Sequence, residues 1–158
     1  MSSYSYFADL PQVEDDEIAA HTEVLVADSR VDQRLIRAAV DEVFTANPAL
    51  GTVFEPFCDC WAARPGGGWG WAVEPPGDTV ADVVARQRAA FDMRTGRLFA
   101  VSLIPGAPDR LVLSASHLCI DGPSWQLVIG ELVRAYDGSV WRRLSPNAPS
   151  RFAQHRRS

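Results

Sequence analysis

Apolar and polar positions alternate along HTEVLVAD, with Val24 and Val26 set against Leu25 and Ala27, which predicts a strand. The period then changes. In VDQRLIRAAVDEVFTANP, Leu35, Ile36, Ala39, Val40, Val43 and Phe44 share a helical face while Arg34, Arg37, Asp41 and Glu42 fall elsewhere. Asp32 is placed to cap this helix, and Asn47-Pro48 ends it because proline disfavours α geometry in the residue before it. ALGTVFEPF reads as a second strand, and WAARPGGGWGWAVEPPGD as two short strands around a Pro-Gly-rich hairpin turn. Asp78 then caps a helix, DTVADVVARQRAAF, with Val80, Val83, Val84 and Ala90 facing inward. GRLFAVSLI and RLVLSASH flank the turn PGAPD and form an antiparallel hairpin. The tight connection LCIDGPSW leads into the helix SWQLVIGELVRAY, whose Pro123 suits a first helical turn. Residues 1–20 read as an irregular arm, and little regular pattern follows Tyr136. The order β-α-β-β-β-α-β-β-α implies an α+β fold, a two-layer sandwich with helices packed on a mixed, largely antiparallel sheet.

Length and composition fit this reading. A chain of 158 residues with 47% hydrophobic and 22% charged positions suits one domain with a packed core. The expected organisation is an N-terminal arm at 1–20 and a lobe at 21–158. No run approaches the ~18–20 apolar residues of a membrane helix. The N-terminal residues carry neither the basic nor the apolar region of a secretory signal, so a cytoplasmic location away from membranes is expected. The net charge of −5 argues against a nucleic-acid binder, which relies on neutralising phosphates.

Charge is unevenly placed. Residues 1–29 hold seven acids and no arginine, whereas residues 138–158 hold five arginines and no acid. Two solvated ends that attract each other, or a basic docking tail, account for this pattern.

Three cysteines do not make a disulfide framework. Cys58, Cys60, His117 and Cys119 offer four zinc-type ligands on paper, but the C-x-C spacing is atypical and buried small apolar groups are the other reading. Gly66-Gly67-Gly68 matches no phosphate-loop pattern.

The chemistry concentrates after the hairpin. His117 closes a strand, Asp121 follows four residues on, and Gly122 and Ser124 open a helix. An exposed imidazole is the usual general base, Asp121 suits a tautomer-holding or anchoring group, Gly122 permits close approach, and Ser124 suits an oxyanion donor. A structural histidine followed by a helix-capping aspartate satisfies the same spacing.

H-L-C-I-D-G followed by P-S resembles the H-x-x-x-D-G-x-S core of nonribosomal peptide synthetase condensation domains and of the wider chloramphenicol-acetyltransferase-like acyltransferases. FDMRTGRLFAVSLI, VDQRLIRAAVDEVFTANPALGTVFE, SWQLVIGELVRAYDG and SPNAPSRFAQHRR are similar to that family's flanking segments in the same order, from Thr22 to Arg157. The resemblance implies the N-terminal lobe of such a domain. It implies that His117 deprotonates or positions an amine or hydroxyl attacking an acyl thioester, carried on the phosphopantetheine arm of a carrier protein or on coenzyme A. It further implies that Asp121 is structural and pairs with an arginine, that Gly122 lets the arm approach, and that Ser124 has a lesser role. No tightly bound cofactor is implied. Two positions depart from the pattern: Ser116 stands for the first histidine of the pair, and Gly51 for the arginine of the "Leu-Arg-Thr" segment. No counterpart of the second lobe is present, so the expected partners are a second copy or a second-lobe chain, together with an acyl or peptidyl carrier protein or a synthetase module. Three readings follow: an acyltransferase half-site completed by another chain, a non-catalytic carrier-binding lobe, or a fragment of a longer synthetase.

Overall fold

The computed structural model describes residues 19–144 and the backbone of Ser5–Phe7. In chain order the elements are β1 (Ser5–Phe7), β2 (Ala20–Ala27), α1 (Gln33–Ala46), β3 (Val53–Phe57), β4 (Cys60–Arg64), β5 (Gly70–Val73), α2 (Val80–Ala89), β6 (Phe99–Ile104), β7 (Arg110–Ser116), α3 (Gly122–Ala135) and β8 (Trp141–Arg143). They make a five-stranded sheet ordered β5-β6-β7-β2-β8 and a three-stranded sheet ordered β1-β4-β3. Every pairing is antiparallel except β5 with β6. The α+β expectation holds, with the helices divided between the faces of the larger sheet.

β7 lies at the centre of that sheet, and its residues from Leu111 to Ser116 are all buried. A strand covered on both faces needs apolar or bonded side chains on both, which explains the run LVL followed by small residues. On one face Leu25, Val101, Leu103, Leu111 and Leu113 pack with Ile36, Val40 and Val43 of α1 and with Trp125, Ile129 and Leu132 of α3. On the other, Val83 of α2 packs on Ile104 and Val112. Beside them Gln87 is buried and fully bonded: its amide donates to Ser102 Oγ at 3.1 Å and to the Val112 carbonyl at 3.0 Å, and accepts from Ser114 Oγ at 2.7 Å.

The helix ends are set locally. Asp32 accepts from the N–H groups of Arg34 and Leu35 to start α1, and Asn47 closes it before a short 3-10 turn at Pro48–Gly51. Ile36, Ala39, Val40 and Val43 form the buried stripe of α1. Leu35 lies about 90° round the helix from the stripe's centre, at 100° per residue, and is 57% exposed. α2 starts one residue later than expected. Thr79, not Asp78, accepts from Asp82 N, because the Asp78 carboxylate is drawn to the Arg86 guanidinium, which Glu74 also meets at 2.8 Å. Ala90 is exposed at the end of this helix; Gln87 takes the inward place.

Three further expectations are corrected. The supposed irregular arm holds a strand, since Ser5, Tyr6 and Phe7 pair with Ala63, Ala62 and Trp61. β8 follows Tyr136, where the sequence showed no pattern, and pairs with β2. The strands flanking the glycine run do not form a hairpin: β4 belongs to the small sheet, and β5 runs parallel to β6 in the large one. The glycines instead allow two backbones to cross. Gly67 N donates to the Gly51 carbonyl at 2.7 Å, and a Cβ on Gly67 would lie 2.3 Å from the Gly96 carbonyl oxygen.

The basic C-terminal region meets the acidic N-terminal one across β8 and β2. Arg142 pairs with Asp28 at 2.8 Å and Arg143 with the buried Glu23 at 2.9 Å. Mutual attraction accounts for these two arginines; Arg151, Arg156 and Arg157 and the segment SPNAPSRFAQHRR lie outside the described residues, as do the acids at positions 9 and 14–17. Among the described residues no helix is long and apolar enough to cross a membrane.

Two contrasts test this account by denaturant unfolding. Gly67→Ala forces backbone apart and lowers stability by about 3 kcal/mol, the upper part of the usual overpacking range, whereas Gly68→Ala, with nothing near its Cβ, changes it by under ~1 kcal/mol. Arg143→Met strands the Glu23 carboxylate and costs about 3 kcal/mol, whereas Arg142→Met removes an exposed pair and costs under ~1 kcal/mol.

Candidate active site

β7 ends beside the start of β2. The register sets Ala20 opposite Ser116 and His21 opposite Ala115, and the next peptide continues the pairing, with His117 N donating to the Ala19 carbonyl at 2.9 Å. His117 is therefore fixed at its backbone while its ring is exposed at the sheet end.

The connection to α3 is a tight turn built on Ser116. Its buried hydroxyl accepts from Leu118 N at 3.0 Å and its carbonyl from Cys119 N at 3.1 Å. The Cys119 thiol is buried and donates to the Ser116 carbonyl at 3.4 Å. Burial pushes that thiol up to about 12, so it is not a nucleophile at neutral pH.

Asp121 caps α3, accepting from Ser124 N at 2.8 Å. That N–H foremost, with the Ser124 side chain beside it, holds the Asp121 carboxyl below its ordinary pKa. The Ser124 N–H is thus directed at Asp121. The arginine implied as Asp121's partner does not appear in the ion pairs of the described residues. Gly51, which stands for the arginine of the "Leu-Arg-Thr" segment, is walled in: a Cβ there would lie 2.8 Å from Phe44 Cζ and 3.0 Å from the Gly67 carbonyl oxygen. Gly122 is the reverse case, since a Cβ on it would meet nothing within 4 Å. Packing does not demand glycine at 122.

The sequence reading missed His21. Its Nε2–H donates to the Ile120 carbonyl at 3.1 Å, its ring stacks on Trp125 at 5.9 Å and 17°, and it lies 4.1 Å from the His117 ring, centroid to centroid. A histidine inside an alternating strand was the visible signal; its nearness to His117 depends on register, which neither segment reveals alone. Partial desolvation foremost, then the nearby His21 and Arg88, lower the pKa of His117 and favour its neutral form.

The four zinc-type ligands are not brought together. Cys58 and Cys60 lie at the β3–β4 turn of the small sheet, Cys58 being exposed with a left-handed φ of 57°, while Cys119 is buried at the start of the α3 connection. Among the described residues no three His, Cys, Asp or Glu side chains are grouped to hold a metal ion.

This arrangement can be compared with known proteins. No family model matches the chain. The starter condensation domain of rhizomide synthetase RzmA superposes with a TM-score of 0.69 at 19% identity, over 86% of this chain and 38% of that one. The chain has the fold of a condensation-domain lobe. The epimerization domain from the third module of tyrocidine synthetase B gives a TM-score of 0.66 at 16% identity, over 98% of this chain and 40% of that one. A variant of the RzmA domain solved in complex with C8-CoA gives 0.66 at 19% identity, over 82% of this chain and 35% of that one. Nonribosomal peptide synthetase 5 of Gibberella zeae is 30% identical over 120 residues, which is 70% of this chain and 1% of the synthetase. The lobe thus spans well under half of each condensation-type domain and about a hundredth of the synthetase.

The acid response of the lobe tests the Asp121 cap. Because the folded pKa is depressed, the cap's contribution is present above the ordinary carboxylate range and is lost as pH falls through the lowered value. Asp121→Asn keeps an acceptor for Ser124 but cannot titrate. Unfolding midpoints measured from pH 6 downwards are expected to fall less steeply for the variant below about pH 4.

Proposed function

We propose that the lobe supplies His117 as the general base of an acyl transfer. The donor is an acyl thioester on a carrier protein's phosphopantetheine arm or on coenzyme A, and the acceptor is an amine or a hydroxyl. Neutral His117 takes the proton of the acceptor as its nitrogen or oxygen attacks the thioester carbonyl. The tetrahedral intermediate then expels the pantetheine sulfur, which leaves as the thiol after taking back a proton. The observation that carries this reading is the pairing of an exposed, backbone-anchored His117 with empty space over Gly122, on a lobe of condensation-domain fold. Gly122 is not needed for packing, and open space there suits the approach of a slender thioester arm.

A base in open solvent works poorly; it needs a wall that holds the reactants and excludes water. We place that wall on a second copy of this chain or on a separate second-lobe chain.

A second reading has its own support. Gly51 stands where the resemblance implies an arginine, and its walls leave no room for a side chain. An incomplete site of this kind fits a lobe that binds a carrier protein or a synthetase module without catalysis.

The two readings part on one variant. With an acyl-CoA or acyl-carrier thioester and an amine acceptor, His117→Ala is expected to lower transfer by about 10²- to 10⁴-fold while leaving the unfolding midpoint in place. Equal rates for the two proteins would refute the general-base role. Light scattering on a sizing column, run across concentrations, is expected to show a dimer or larger species if copies complete the site.

A further inference from the structure

We propose that His21 is a positioning residue for His117, its ring clamped between Ile120 and Trp125 so that it forms a fixed wall for the neighbouring imidazole. The inference rests on His117 acting as the base.

Two contacts and a laddered backbone fix the His21 ring. A carbonyl oxygen only accepts, so the 3.1 Å contact to Ile120 places a proton on Nε2 and selects a ring orientation. The indole of Trp125 covers one ring face at 5.9 Å; it is itself fully buried and packs edge-on against Phe99 at 6.3 Å. The His21 backbone lies inside the β2–β7 ladder opposite Ala115. A ring held at two points on a laddered backbone is a rigid surface, and His117 meets it at 4.1 Å with a tilt of 54°. His117 rotamers that would cross this surface are excluded, while its backbone is held by Ala19. Ser116, next in the chain, cannot supply such a wall, because its side chain turns inward to Leu118 N.

The electrostatics agree with the geometry. The charged groups acting on His117 are His21 from β2 and Arg88 from α2, both of which disfavour a proton on its ring. Asp121, on the connecting turn, is likewise disfavoured as a proton carrier by His21. Partial desolvation foremost, with these two groups beside it, biases His117 toward the neutral, proton-accepting form.

Imidazole nitrogen and ring-proton NMR of the full chain tests this without requiring activity. In the wild type, ring-to-ring NOEs between His21 and His117 and a His117 titration below the ordinary histidine range are expected. In His21→Ala, the His117 titration moves up and its ring shifts collapse toward those of a free histidine. His21→Phe keeps a flat ring on Trp125 but carries no charge, so it keeps the His117 ring shifts dispersed while still moving the titration up. An unchanged His117 titration and unchanged ring shifts in His21→Ala overturn the proposal. If His21→Ala does not fold, the absence of ring-to-ring NOEs in the wild type does the same. Where transfer is measurable, His21→Ala is expected to lower kcat by roughly 10- to 100-fold, with KM nearly unchanged and the pH profile displaced upward. Unaltered NMR alongside His117-dependent transfer defeats the positioning role alone. Altered NMR alongside transfer indifferent to His117→Ala instead removes the base, and with it the role assigned to His21.

Discussion

The antiparallel pairing of β2 with β7 is the constraint on which the rest of this lobe depends. It runs from Ala20 opposite Ser116 to Val26 opposite Arg110, and it fixes three things at once. It places Leu25, Leu111 and Leu113 on the face covered by α1 and α3, so the core forms only in this register. It leaves the other edge of β2 to β8, where Glu23 meets Arg143. At its end it brings His21 against His117. A shift of one residue would turn the apolar set to the wrong face, so the same hydrophobic term that holds the sheet also holds the two imidazoles together.

Much of the architecture is legible in the sequence where the signal is local. α1 announces itself through a stripe at helical spacing, an aspartate at its start and Asn47-Pro48 at its end, and each does the expected work. The β6–β7 hairpin is equally plain. What escapes is settled at long range. β8 has only three residues, two of them arginines, and its place depends on Glu23 and Asp28 more than a hundred positions earlier. The glycine run looks like a hairpin because local rules place turns at such residues; the structure uses it to pass Gly67 against Gly96, a contact no local rule foresees.

The site shows the same division. The motif reading located His117, Asp121, Gly122 and Ser124, and the structure sets the first two on the short turn after β7 and the other two in the first turn of α3. It could not say how they are used. Ser124 and Asp121 bond each other, which makes them the frame of α3, while His117 stands out from that frame and Gly122 leaves space beside it. The two departures at Ser116 and Gly51 gain physical content as well. Ser116 stabilises the turn, and Gly51 belongs to a backbone crossing that has no room for a side chain. The likeness to condensation domains is one of backbone path.

The connectivity of β2 bears on how the lobe comes to exist. Its partners in the large sheet lie about eighty-five to a hundred and twenty residues downstream, so β2 emerges during synthesis before either of them. Until β7 is made, the apolar segment VLVA remains an open edge. Such non-local closure slows folding and prolongs the exposure of sticky surface. α1 and the β6–β7 hairpin can form early from neighbouring residues, but the histidine pair exists only once β7 has been made and has paired with β2.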